Sequence, residues 1–105
     1  VFFATNKSSL TTASRATLRK QATFLRKNKN LTVTIEGHAD ERGTREYNLA
    51  LGERRANAAR DYLMTYGISG KRISVISYGK EKPVNPKSSP LAWSQNRRSV
   101  TVKVN

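Results

Sequence analysis

The sequence contains no cysteine and, of its 105 residues, only three are proline, six glycine and eight aromatic. Without cysteine there are no disulfides, no thiolate zinc sites and no thiol catalysis, and the redox compartment stays open. No apolar run approaches the roughly 20 residues that a membrane-spanning helix requires. No charged-then-apolar leader is visible within these 105 residues, so no targeting signal is expected inside them. Val1 opens directly on an apolar stretch, the expectation for a domain cut from a longer precursor. Acid is also scarce, at 7 Asp and Glu against 20 Lys and Arg and a net charge of +13. At 105 residues and 36% hydrophobic content the chain can support one modest core, so a single domain over 1–105 is expected.

The charge is unevenly placed. Residues 1–35 carry seven bases and no acid, and residues 62–105 carry eight bases and one acid, Glu81. Six acids (Glu36, Asp40, Glu41, Glu46, Glu53, Asp61) fall between 36 and 61, beside five arginines. A strong positive balance points to polyanions. The nearly neutral middle marks a place where carboxylates are needed.

Periodicity predicts the elements. Val1–Phe3 reads as a short strand broken at Asn6 and Ser8–Ser9. Leu18, Ala22 and Leu25 recur at helical spacing within 11–29, with Thr11, Thr12 or Ser14 as cap. Leu31, Val33 and Ile35 alternate with polar residues as a strand, and Gly37–Arg45 reads as a polar loop. A long helix runs from about Glu46 to Tyr66 and stops at Gly67. Ile73, Val75 and Tyr78 make a third strand, 80–90 a surface loop, Trp93–Arg97 one helical turn, and Val100, Val102 and Val104 a last strand. The order β-α-β-α-β-β predicts an α+β two-layer sandwich, with helices on one face of a four-stranded mixed sheet.

On a wheel of the long helix, Asn48, Leu51, Arg55, Ala59, Tyr62 and Tyr66 share a face, with Ala58 and Leu63 at its margins. Glu53, Asn57, Arg60 and Asp61 lie opposite. Arg55 is thus in register with the apolar stripe, unlike Arg54. A guanidinium facing a core costs several kcal/mol unless compensated. Asp40 and Glu41 on the preceding loop are its candidate partners. Two readings stay open: a plain ion pair tying loop to helix, or a split site in which Asp40 takes an ammonium and Arg55 a carboxylate. Asn48 would add neutral donors and acceptors.

Gly37-His38-Ala39-Asp40-Glu41-Arg42-Gly43-Thr44-Arg45-Glu46-Tyr47-Asn48, followed by Leu51-Gly52-Glu53-Arg54-Arg55-Ala56, resembles the OmpA-like family of peptidoglycan-binding domains and, within it, the peptidoglycan-associated lipoproteins. Phe3-Ala4-Thr5-Asn6-Lys7-Ser8, Ser77-Tyr78-Gly79-Lys80-Glu81-Lys82-Pro83 and Asn96-Arg97-Arg98 agree, so the resemblance covers nearly the whole chain. The helix pattern Asn-x-x-Leu-Ser-x-x-Arg-Ala-x-x-Val matches Asn48, Leu51, Arg55 and Ala56, with Gly52 and Ala59 departing.

The resemblance implies non-covalent binding of the diaminopimelate of the peptidoglycan stem, with Asp40 and Arg55 as the recognition pair. Asn48, Leu51, Phe3, Ala4, His38 and Ala39 would line the site. Ala4 stands where an acid is usual, which implies weaker binding than in acid-bearing relatives. It also implies a TolB-like periplasmic partner within a Tol–Pal system, for which Glu41, Arg42 and Arg45 are candidates. A lipid anchor upstream would hold the longer protein at the periplasmic face of the outer membrane.

No cofactor, metal or enzymatic activity is expected. His38 with Asp40 and Glu41 lacks a spaced second ligand for zinc, and no nucleophile–base spacing is present. A basic nucleic-acid or polyanion-binding module is the alternative by charge. A third possibility is a module chiefly for TolB-like proteins, with weakened peptidoglycan binding.

Overall fold

The computed structural model describes residues 1–104. Its elements are α1 (Thr12–Lys27), β1 (Val33–His38), α2 (Arg45–Thr65), a 3-10 turn (Gly70–Arg72), β2 (Ile73–Gly79), α3 (Pro90–Asn96) and β3 (Ser99–Lys103). Local chemistry explains their limits. Thr11 caps α1 by accepting from the Ser14 amide, and Arg26 and Lys27 sit favourably in its last turn. Thr44 caps α2 through the Tyr47 amide, with Glu46 in the first turn. Gly67 follows α2 at φ 86°, a left-handed conformation that glycine adopts without a Cβ penalty.

The sheet has three strands in the order β2-β1-β3, parallel between β1 and β2 and antiparallel between β1 and β3. The expected four-stranded sheet is therefore wrong. Phe2 makes only an isolated antiparallel bridge with Arg98. The pairing cannot extend because the chain turns at once: the Lys7 amide donates to the Ala4 carbonyl at 3.1 Å, and Asn6 sits at φ 57°. The short helix expected at Trp93–Arg97 starts earlier, at Pro90. Ser89 caps it and Pro90 takes its first turn, where a missing N–H costs nothing.

Leu18, Ala22 and Leu25 of α1 and Ala56, Ala59 and Leu63 of α2 bury against Val33 and Ile35 of β1 and Ile73 of β2. Each large aliphatic side chain contributes about 1.5–3 kcal/mol on burial. The strand pairings put Val100 opposite Glu36 and Val102 opposite Thr34, so the valines of β3 lie on the face away from the helices. Thr101, opposite Ile35, faces α1 and donates to Gln21 at 2.7 Å.

α2 rides on the sheet through glycine. A Cβ on Gly37 would overlap the Gly52 carbonyl, and one on Gly52 would overlap Ser77 Oγ. This explains why Gly52 interrupts an otherwise helix-favouring segment. Close approach of α2 to β1 sets where Asn48, Leu51 and Arg55 stand. Gly37→Ala is expected to lower unfolding free energy by about 3 kcal/mol or more, measured by urea denaturation. Gly52→Ala should cost less once Ser77→Ala removes the opposing hydroxyl; equal loss with and without Ser77→Ala would contradict this packing.

Candidate functional site

The Arg55 side chain is fully buried. It is compensated by backbone: Nε donates to the Lys7 carbonyl at 2.9 Å, Nη1 to His38 at 2.9 Å and Nη2 to Ala4 at 3.1 Å. Its guanidinium carbon also lies 5.4 Å from the Phe3 ring centroid. No carboxylate pairs with it among the described residues. Burial, and secondarily the nearby Arg97, lower its pKa to about 10, so it stays cationic at neutral pH.

Asp40 is buried and held by other cations. Oδ1 accepts from the Arg42 amide at 3.0 Å and Nε at 3.1 Å, and Oδ2 from Arg42 Nη2 at 2.7 Å and Arg97 Nη1 at 3.5 Å. Burial alone would raise its pKa; the Arg42 bonds outweigh this and hold the carboxyl below its usual value. The plain Arg55–carboxylate ion pair considered from the sequence is thus not formed. Arg42 takes Asp40, and three carbonyls take Arg55.

Thr5, Asn6, Asp40, Arg42, Gly43, Tyr47, Asn48, Leu51 and Arg55 line one cavity of about 240 Å³. The structure therefore brings together Asp40, Arg55, Asn48 and Leu51 as the sequence suggested. Asn48 Nδ2 donates to the Arg42 carbonyl at 2.8 Å and fixes the loop backbone. Phe3 and Ala39 are buried alongside, whereas Ala4 is exposed and lines the neighbouring groove with Phe3 and Arg97. Ala4 meets the site only through its carbonyl, which accepts from Arg55 behind the cavity wall.

His38 contributes by backbone too. Its imidazole points elsewhere, to Glu36 at 3.2 Å and onto the Tyr78 ring at 5.5 Å.

Of the loop candidates, Glu41 accepts from Trp93 Nε1 at 2.7 Å and Ser88 Oγ at 2.8 Å, and Arg45 pairs with Glu81 at 2.6 Å. Arg42 lies over the Trp93 ring, 4.3 Å from its centroid. Arg42 and Arg97 as partners of Asp40 were missed from the sequence. An Asp followed two residues on by Arg, before Gly43, is the available signal, because the Arg42 amide closes an Asx-type turn.

A charged pocket thus lies beyond the end of the central strand of a small α+β domain, with no cluster of potential metal ligands among the described residues. The chain belongs to the OmpA family, whose model matches residues 2–97. It is 59% identical over 102 residues to the peptidoglycan-associated lipoprotein of Rhizobium meliloti (strain 1021), covering 97% of this chain and 58% of that protein. The Agrobacterium fabrum protein of the same name is 54% identical over 102 residues, with the same 97% and 58% coverage. The chain thus spans somewhat less than two thirds of these curated relatives. The crystal structure of the peptidoglycan-associated lipoprotein from Burkholderia pseudomallei superposes with TM-score 0.95 at 39% identity, covering 98% of this chain and 87% of that one. The C-terminal domain of Helicobacter pylori MotB, at TM-score 0.91 and 20% identity, covers 99% of this chain and 82% of its own, and shares the fold.

His38 gives the site's support a pH dependence. Burial first, then Arg98, push its pKa below the ordinary 6.5, although Glu36 opposes this. Its Nδ1 is buried without a partner. The unfolded chain takes up the proton first, so stability is complete above pH 6.5 and declines as pH falls through that value. Asp40 acts in a lower window: its contribution is present above 3.8 and is lost as pH falls further. Urea midpoints measured from pH 8 to 5 should fall below 6.5 for the native chain and much less for His38→Gln. Identical profiles would place the titration elsewhere.

Proposed function

We propose that this domain binds peptidoglycan non-covalently through the diaminopimelate of its peptide stem and does no catalysis. In the longer protein this would tether the outer membrane to the cell wall from the periplasmic side, through a lipid anchor and within a Tol–Pal system. Arg55 carries the reading: a buried cation without a carboxylate partner among the described residues lines a cavity shared with Asp40. Three of its five N–H donors serve carbonyls, which leaves two for an incoming carboxylate. The far end of diaminopimelate carries a carboxylate and an ammonium on one carbon, and Arg55 and Asp40 are the groups of opposite sign to meet them. The names of the relatives, at up to 59% identity, support the same partner polymer.

Simple polyanion binding is less favoured, because many arginines are already used internally. Arg26 donates to Tyr66, Arg97 to Phe3, Arg98 to Lys82, and Arg72 to Leu25, Asn28 and Leu31, all at backbone carbonyls. A TolB-like partner would read the loop at Glu41, Arg42 and Arg45. The bonds of Glu41 and Arg45 to Trp93, Ser88 and Glu81 make that loop a preformed surface.

Calorimetry with a soluble diaminopimelate muropeptide tests the reading, with a lysine-stem muropeptide as control. Arg55→Ala is expected to weaken binding of the diaminopimelate form at least about tenfold. It should also cost about 2–3 kcal/mol of stability, since buried carbonyls lose their donor, so fold is checked by circular dichroism. Arg54→Ala, on the exposed face, should change little. Equal affinity of folded Arg55→Ala and native protein would reject the assignment.

A further inference from the structure

Arg42 occupies the place that the proposed ligand needs. A carboxylate has about four lone-pair sites, and all four on Asp40 are taken: three by Arg42 and one by Arg97. An ammonium cannot add to Asp40 without displacing one of these donors. The Arg42 amide is fixed in the backbone, and Arg97 is tied by Nε to the Phe3 carbonyl at 2.8 Å, with its side chain 15% exposed. The Arg42 side chain is 39% exposed, its only other hydrogen bond among the described residues is to Thr5 Oγ1 at 3.3 Å, and it is the less tightly tied of the two.

The surroundings suit such a movement. Asn48 holds the Arg42 carbonyl, so the loop backbone keeps its place when the side chain leaves. The Trp93 ring, steadied by its bond to Glu41, already lies against the guanidinium and gives it somewhere to rest. Arg97 remains near Asp40 and keeps it ionised.

We propose that Arg42 is a resident cation on Asp40 that the ligand's ammonium must displace, so that it sets the affinity threshold of the pocket. The inference rests on the diaminopimelate reading above. An ammonium alone trades a two-point guanidinium contact for a weaker one and gains nothing. A ligand that also places a carboxylate on Arg55 recovers that loss, because Arg55 has no acid partner among the described residues to give up. Arg42 thereby favours ligands bearing both charges at one end.

The test is calorimetry on native protein, Arg42→Ala and Arg42→Lys. The probes are the diaminopimelate muropeptide and its counterpart with the stem's free side-chain ammonium acetylated. Arg42→Ala is expected to tighten the free-ammonium form about fivefold, the scale of a half-exposed ion pair, and to leave the acetylated form unchanged. Arg42→Lys, with one donor for Asp40, should fall between. Trp93, the only tryptophan, reports the event: its emission should change on titration of native protein and far less in Arg42→Ala. Weaker or unchanged binding of the free-ammonium form by Arg42→Ala overturns the proposal while leaving the peptidoglycan reading intact. Tightening of both forms alike also overturns it, since the ammonium would not be the competitor. Loss of binding in native protein and Arg42→Ala together overturns the underlying reading, whereas binding only by Arg42→Ala supports a resident cation that dominates.

Discussion

A buried guanidinium with no acid partner among the described residues is the constraint around which this domain is arranged. Removing Arg55 from water carries a penalty of several kcal/mol, and the chain meets it with three carbonyls from two separate segments. Ala4 and Lys7 belong to the N-terminal turn, and His38 ends β1. Arg55 thus fastens an otherwise irregular segment and the close of the central strand to α2. The left-handed Asn6 and the loss of strand pairing after Phe3 follow from the same demand, since the turn is what aims the Ala4 and Lys7 carbonyls inward. Carbonyls orient the cation without cancelling its charge, as a carboxylate would.

Packing of α2 against β1 makes this arrangement possible. Gly37 and Gly52 bring the helix backbone onto the strand, and Arg55 lies three residues beyond Gly52 on the same side. A larger residue at either glycine would lift the helix and lengthen all three bonds together. The departure at Gly52 is therefore matched to Ser77, whose Oγ lies where a Cβ would go and donates to the Leu49 carbonyl at 2.7 Å.

Much of this was legible in the sequence, and what was not has identifiable causes. Helical register placed Arg55 on the buried stripe because 3.6-residue periodicity depends only on spacing. It could not tell that the stripe also includes Gly52 and Ala56, since small residues carry little hydrophobic signal yet mark close backbone approach. Val1–Phe3 has strand composition, but strand formation depends on a pairing that the Ala4–Lys7 turn interrupts. The valines of β3 alternate as a strand should, and alternation alone does not say which set faces the helices. Partner choice was the hardest to read. Asp40 and Arg55 are complementary in charge and near in the fold, yet a residue two positions along the loop reaches Asp40 more cheaply than one on another element.

The same preference for local and backbone partners accounts for the chain's large positive charge. Arginine here acts as a multi-pronged donor that closes exposed carbonyls at helix ends and turns: Arg72 at the end of α1, Arg26 at the end of α2, Arg97 against the N-terminal segment. Used this way, guanidinium groups accumulate without matching acids, and the net +13 is partly a by-product of architecture. Its consequence is local. Arg42, Arg55 and Arg97 gather around one carboxylate, so the pocket carries surplus positive charge before any ligand arrives. A carboxylate approaching Arg55 is attracted by that surplus, whereas an ammonium feels it as repulsion until it reaches Asp40. For the ligand proposed above, the physical order of recognition would be acid first and amine second, with the surrounding charge assisting the first step and Asp40 alone carrying the second.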